Sequence, residues 1–398
     1  MARPFILITY PYPIGQKAAG GSRTTKEVAL HLAKQGADVM IMPVSTNPLS
    51  RRYPRKAVNP AELGTEHDAE LNAGGVEVIR PDQDPWLYQL DGRPVKREVR
   101  KVLKQRKVDM VLGHFHEAAF LPKLCQKHGA KFGFLATWQT YAGLAWRPSR
   151  LIGWVRKWFD HITIIKPHRL ADVQFAISEF TQRELVDVLG VEKSRIRICP
   201  LGTEPTFLEL PRKEPKEIVD LIFFGRLTPS KGFRDAIEAL AKVKARGVTN
   251  WRYRMFGAGR PEWARESAEK HGVADQVEIN DPVDTETLGR ELSRAQLAIL
   301  PSYAESFGHS MVEAQAAGIP VCGYAAGSVP EVVQDGNTGW LAPLQDIDGL
   351  ADRIEAALRD PAGTYQAGLR ARERVRQTYT WERTAEIIMA EIIMAELD

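Results

Sequence analysis

Cysteine is scarce in this chain: Cys125, Cys199 and Cys322 are the three in 398 residues. They are odd in number, far apart and never at metal-finger spacing. That excludes a disulfide framework and a cysteine zinc site, and it leaves small buried residues suited to a reducing compartment. Long apolar runs are missing too. No stretch approaches the roughly 20 residues that cross a bilayer, and the opening Met1-Ala2-Arg3-Pro4-Phe5-Ile6-Leu7-Ile8 enters a strand pattern with no signal-peptide layout. The dinucleotide fingerprint is incomplete, because Gly257-Ala258-Gly259 runs into Arg260-Pro261 without a third glycine. A nicotinamide enzyme is therefore not expected.

What is present is ordinary globular material, with 44% hydrophobic and 26% charged residues. The length exceeds what one core organises, so two domains are expected. The net charge of +4 hides a split: residues 1–210 carry 31 Lys and Arg against 21 Asp and Glu, and residues 211–398 carry 23 against 29. The first half is suited to meeting something acidic.

Short apolar runs alternate with helical patterns, the mark of βαβ units and parallel sheets. In the first half the pattern predicts strands near Phe5–Thr9, Val39–Pro43, Val76–Arg80, Val108–Gly113, Phe132–Thr137, Val173–Ile177 and Ile196–Pro200. In the second half they fall near Leu221–Phe224, Tyr253–Phe256, Val277–Ile279, Leu297–Leu300 and Val321–Gly323. The Pro-rich, charged stretch Glu204 to Lys216 marks the boundary. This gives an α/β chain of two Rossmann-like domains, 1–208 and 209–380, with a final helix from 381 to 398 and a cleft between the domains. Asn47 to Gly75 lacks a pattern and reads as a loop region over that cleft.

The most informative segment runs from Pro301 to Pro330. A strand stops at Pro301-Ser302, Ser306-Phe307-Gly308 makes a glycine turn, and a helix over Met311 to Ala317 follows, closed by Gly318 and Pro320. A helix start at the carboxyl end of a strand gathers free amide donors and the positive end of the helix dipole, which suits an anion such as a diphosphate. Glu305 and Glu313 flank that place and suit neutral hydroxyls on a ribose and a sugar. A second loop, Gly225-Arg226 to Lys231-Gly232, follows another strand and brings two cations, one a planar fork and one a point charge, that can grip phosphate oxygens. Both loops leave the carboxyl ends of strands, where open α/β sheets bind ligands.

Gly225-Arg226 with Lys231-Gly232, followed by Glu305-x7-Glu313, resembles glycosyltransferase family four, the retaining GT-B enzymes that include sucrose-phosphate synthase, glycogen synthase and bacterial mannosyltransferases. The likeness extends over nearly the whole chain through Gly20-Gly21, Phe256-Gly257-Ala258-Gly259, Gly327-x-x-Pro330-Glu331 and Asp335-Gly336-x-x-Gly339. It implies a GT-B fold, with two Rossmann-like domains facing across a cleft and the last helix crossing back to the first domain. It also implies transfer of a hexosyl unit from a nucleoside-diphosphate sugar, UDP favoured, to a sugar or lipid-linked acceptor hydroxyl in glycan synthesis. Arg226, Lys231 and Glu305 form the implied catalytic set. Gly21, Gly225, Gly257, Ser306, Phe307, Gly308 and Glu313 join them in binding the donor. No cofactor, metal or nucleic acid is expected, and the location implied is the cytoplasm or the inner face of its membrane.

His114, His116 and Glu117 lie close together, and strand alternation sends both histidines to one side, but no further ligand set accompanies them. They read as acceptor-side residues or local hydrogen-bond partners. The chain departs from the family at Ala136-Thr137-Trp138-Gln139-Thr140, where Gln139 replaces a common histidine; it reads as a further acceptor-side residue that can hydrogen-bond a sugar hydroxyl but cannot titrate. Residues 150–166 place Leu151, Trp154, Val155, Trp158, Phe159 and Ile162 on one stripe opposite Arg156, Lys157, Asp160 and His161. Core packing explains the stripe, while the Arg51–Lys56 and Arg93–Lys107 charges keep a peripheral membrane contact in play. The tandem AEIIM of the last helix spreads its apolar residues over more than one face. A nucleotide-sugar epimerase or hydrolase, a phosphorylase and a non-catalytic sugar-nucleotide-binding module are the alternative readings.

Overall fold

The computed structural model describes residues 3–11, 20–43, 67–80, 92–136, 158, 160–217 and 219–394. The chain divides into two compact units, 1–202 with 381–398, and 203–380. The short helix Pro205–Leu208, expected in the first domain, falls in the second unit, where Phe207 is buried.

The first unit holds a seven-stranded parallel sheet of β1 (Phe5–Tyr10), β2 (Asp38–Pro43), β3 (Val76–Val78), β4 (Met110–Gly113), β5 (Lys131–Ala136), β6 (Val173–Ala176) and β7 (Ile196–Ile198). Their order is β3-β2-β1-β4-β5-β6-β7. All six residues of β1 are buried, as a strand covered by helices on both faces requires. Its register runs from Phe5 opposite Asp38 to Tyr10 opposite Pro43. One core joins Leu7, Val111 and Phe132 to Val95 and Val99 of the helix Arg93–Gln105.

The second unit holds β8 (Asp220–Phe224), β9 (Arg252–Phe256), β10 (Val277–Asn280), β11 (Leu297–Ile299), β12 (Val321–Tyr324) and β13 (Gly339–Ala342). These run in the order β10-β9-β8-β11-β12-β13. The twelve strands expected from the apolar runs all form, some with shifted ends. The addition is β13, a four-residue strand paired on β12 just after the Asp335–Gly339 turn. Strand order reverses between β1 and β4 in one sheet and between β8 and β11 in the other. At such a reversal the flanking loops part and leave room for a ligand at the carboxyl ends.

The last helix, Trp381–Met394, packs within the first unit on the helix Gly20–Lys34. Its buried positions are Trp381, Thr384, Ala385, Ile388, Met389 and Ile392, spacings that make a single stripe. The apolar residues of the tandem repeat thus spread over more than one face, as the sequence indicates, and one of those faces is buried. Ile393 and Met394 stay exposed, because a helix turning every 3.6 residues carries the second repeat off the seam of the first. Glu391 anchors the stripe, accepting from Arg197 at 2.8 Å and Lys131 at 3.4 Å.

Candidate active site

The reversal between β8 and β11 brings together the two loops singled out above. After β8 the chain passes Gly225 and the exposed Arg226, makes a 3-10 turn over Pro229–Lys231, and enters the helix Phe233–Ala245. After β11 it passes Pro301 and Glu305 and enters the helix His309–Ala316, with Gly308 in the left-handed region at φ 89°. A residue bearing a Cβ resists that conformation, so glycine is what lets the turn present its amides. Ser306 and Phe307 are buried in the turn, and the Phe307 ring packs edge-on against Tyr379 with centroids 5.7 Å apart. Glu313, fifth in the helix, is also buried.

Lys231 Nζ donates to Glu305 Oε1 at 2.5 Å. The sequence reading gives these residues separate duties, the cation to phosphate and the carboxylate to sugar hydroxyls, yet the fold pairs them directly. Ion pairing lets a buried carboxylate persist beside an anion-binding helix start. Among the described residues Arg226 makes no ion pair, so its guanidinium is available to a ligand.

Backbone stitching holds the loops close. Tyr303 N donates to Ser230 O at 2.8 Å, and both Ser328 N and its hydroxyl donate to Glu305 O. Leu227 N donates to Ala258 O at 2.8 Å, tying the Arg226 loop to the loop after β9. Gly257 is needed there, since a Cβ would lie 1.7 Å from Gly225 O. Asp235, in the first turn of its helix, accepts the hydroxyls of Tyr303 and Tyr324 at 2.8 Å each. Sequence reading missed this clamp. An acidic residue in a first helical turn is common, and nothing in the sequence links it to tyrosines 68 and 89 positions away.

In the first unit, Gly21 lies in the opening turn of the helix Gly20–Lys34, against the Tyr10 hydroxyl at the end of β1. His114 lies just beyond β4 and is buried. Its Nδ1 is 3.0 Å from Thr9 O and its Nε2 is 3.1 Å from Thr25 Oγ1. The carbonyl can only accept, so Nδ1 carries the proton. Burial pushes the imidazole down to about 4. His116 instead opens a 3-10 turn and faces Thr163 at 3.2 Å. The expectation that alternation sends both histidines to one side is corrected, because the strand ends at Gly113 and alternation ends with it. The Glu117 carboxylate folds back to accept from His114 N at 2.9 Å and Phe115 N at 3.0 Å, and burial raises it to about 7. Gln139 lies outside the described residues.

Comparison with known proteins agrees with this architecture. Residues 18–207 match the model described as Glycosyltransferase Family 4, and residues 209–377 match Glycosyl transferases group 1. A glycogen synthase of Mycobacterium tuberculosis is 26% identical over 96% of this chain and 92% of its own. Sucrose-phosphate synthase from Thermosynechococcus elongatus superposes with a TM-score of 0.72 at 21% identity, covering 100% of this chain and 99% of that one. Anabaena HepE, solved in complex with UDP and glucose, gives 0.72 at 16% identity over 99% and 100% of the two chains. The two sheets, the loops at their reversal points and both family matches place this chain among the GT-B glycosyltransferases of family four, enzymes of glycosyl transfer in glycan synthesis.

Proposed function

We propose that the chain transfers a hexosyl unit from a nucleoside-diphosphate sugar, UDP-sugar favoured, to an acceptor hydroxyl with retention of configuration. The observation that carries the reading is the Lys231–Glu305 pair at the reversal between β8 and β11, with Arg226 on the same loop. Charge builds on the departing diphosphate, and preorganised cations and amide donors are the groups that stabilise it. In this reading Arg226 and Lys231 take the phosphates and Glu313 accepts from the ribose. Glu305, steadied by Lys231, orients the sugar hydroxyls beside the Ser306–Gly308 amides. Gly21, Gly225 and Gly257 allow close backbone approach. No metal is required, since two cations and a helix start already oppose the leaving charge. Retention follows from attack on the face the leaving phosphate vacates, that phosphate taking the acceptor's proton. UDP is favoured by the family resemblance and by the ligand of HepE. The acceptor is assigned to the first unit, where His114 and His116 contribute as fixed, hydrogen-bonded groups.

Nucleotide release from a panel of nucleotide sugars, measured with and without sugar and lipid-linked acceptors, tests this. Acceptor-dependent release is expected, strongest with a UDP-sugar, and Lys231→Ala and Glu313→Ala each lose it by about 100-fold or more. Wild-type turnover by either variant, or release without acceptor as an epimerase or hydrolase gives, overturns the assignment.

A further inference from the structure

Trp263 carries two guanidiniums over its ring: Arg260 Cζ lies 4.1 Å and Arg234 Cζ 4.5 Å from the ring centre. Arg260 ends the loop after β9 and leads into the helix Pro261–Lys270. Arg234 stands in the first turn of the helix Phe233–Ala245, against which that helix packs. Both arginines are exposed, and among the described residues neither takes part in an ion pair or a side-chain hydrogen bond. A guanidinium held over an aromatic ring uses its flat, weakly hydrated face there and keeps its in-plane N–H donors for another partner. The stack therefore offers two steadied forks to an oxyanion.

The stack adjoins the Arg226 loop. Arg260 N donates to Leu227 O at 3.1 Å and Leu227 N to Ala258 O at 2.8 Å, which stitches the two loops together. Burial first, and then Asp235, raise the Tyr303 phenol, and the charge of Arg234 opposes them, so Arg234 is also felt on the loop that carries Glu305. Carboxylates do not answer the pair. Asp235 is held by Tyr303 and Tyr324, Glu238 faces His271 at 3.8 Å, and Glu262 lies about 100° around its helix from Trp263. Residues 211–398 carry more carboxylates than cations, so two unpaired arginines on one ring run against the composition of their own unit.

The face of the sheet on which the stack stands bears on which part of a substrate it meets. The crossovers from β8 to β9 and from β9 to β10 run one way along the sheet, and the crossover from β11 to β12 runs the other. Right-handed connections then put the helices Phe233–Ala245 and Pro261–Lys270 on one face and the helix His309–Ala316, which carries Glu313, on the opposite one. The transferase reading gives Glu313 the ribose, and Arg226 with Lys231 already answer the two phosphates. Resting on that reading, we propose that Arg234 and Arg260 bind an oxyanion carried by the acceptor, a sugar carboxylate or a phosphate, so that the enzyme selects acidic acceptors. Arginine suits this better than lysine, because its fork meets two oxygens of such a group in parallel.

Isothermal titration of the intact protein, with and without saturating UDP, tests this with trigalacturonate as the carboxylate source, tripolyphosphate as the phosphate source and maltotriose as the neutral control. At least one of the two anions is expected to bind beside UDP, and maltotriose is not. Arg234→Gln combined with Arg260→Gln should weaken that binding by about tenfold or more, through loss of two charge-assisted forks, and leave UDP affinity unchanged. Arg265→Gln combined with Lys270→Gln, exposed on the same helix, removes equal charge away from the stack and should change neither. Arg260→Lys keeps the charge but loses the fork and should also weaken the anion, with a thermal midpoint at the wild-type value. Failure of both anions to bind, equal binding of maltotriose, unchanged binding in the double Gln variant, or the same loss in the Arg265 and Lys270 control overturns the proposal. So does displacement of the anion by UDP, which returns it to the diphosphate place. An arginine-dependent preference for UDP-glucuronate over UDP-glucose moves the charge to the donor and overturns it as well. UDP binding is measured in every variant, so a protein that binds UDP but no acidic probe fails this inference alone, whereas one that binds no UDP fails the donor reading beneath it.

Discussion

Asp235 and Tyr324, 89 positions apart, are joined by a hydrogen bond of 2.8 Å. The other oxygen of the same carboxylate takes the Tyr303 hydroxyl. Tyr303 stands two residues before Glu305, and Asp235 lies one turn after Lys231. One buried carboxylate therefore fixes the spacing of the loops that carry the Lys231–Glu305 pair. Burial first, and then the Asp235 charge, push both phenols well above their ordinary range, so they remain donors at every accessible pH.

Tyr324→Phe leaves one carboxylate lone pair without its donor. A hydrogen bond to a charged group contributes about 1.5–3 kcal/mol, and a loss of that size in a urea titration is the expected outcome. Asp235→Asn keeps the shape but can satisfy at most one phenol through its single oxygen. It should lower kcat for transfer more than it raises KM, because it loosens the placement of Lys231 and Glu305 without touching the donor. An unchanged kcat in a folded Asp235→Asn protein rejects the clamp.

Gly257→Ala sets a methyl group 1.7 Å from Gly225 O, a backbone atom with no rotamer to yield. The loop after β9 must move away from the Arg226 loop. Destabilisation of at least about 2 kcal/mol is expected, in the range of overpacked cores, together with weaker nucleotide binding by calorimetry. Gly129→Ala, where nothing lies within 4 Å but φ is 72°, is the control for backbone strain alone.

Acid should weaken the first unit through His114 and His168, both held down to about 4, mainly by burial. A depressed histidine contributes stability above its unfolded value of about 6.5 that is lost as pH falls toward 4, because the unfolded chain binds protons the native state refuses. Glu117 acts in the opposite sense. Its raised value of about 7 means that stability present below its unfolded value is lost as pH rises through neutrality. Glu117→Gln removes that opposition. The stability difference between pH 7.5 and 4.5, from urea titrations, should therefore be larger in Glu117→Gln than in the wild type by up to about 3 kcal/mol. An equal difference shows that Glu117 does not titrate there.

Trp381, 2% exposed, meets Gly202 so closely that a Cβ at 202 would lie 2.3 Å from Trp381 N. Cutting back a buried aromatic of this size costs about 3–5 kcal/mol. Trp381→Ala should destabilise by that amount, with the loss appearing in amide exchange of the helix Gly20–Lys34 against which the last helix packs. Protection unchanged in that helix would show the contact to be dispensable.

The strands were legible because a parallel strand buried on both faces is a dense apolar run, and Leu221 to Phe224 or Phe132 to Ala136 can be little else. Strand β13 was not, since Gly339-Trp340-Leu341-Ala342 is short and its pairing with β12 is decided by a turn. The glycine turn at Gly308 and the cations at Arg226 and Lys231 could be found because local chemistry announces them.

Local order along the chain settled which residues form strands, where the helix starts sit and which side chains bear charge at them, because these depend on neighbours a few positions apart. The direct contact of Lys231 with Glu305, the Asp235 clamp and the separate destinations of His114 and His116 were decided by tertiary structure alone. Each depends on the meeting of segments remote in sequence, and such a meeting is not written in a local pattern.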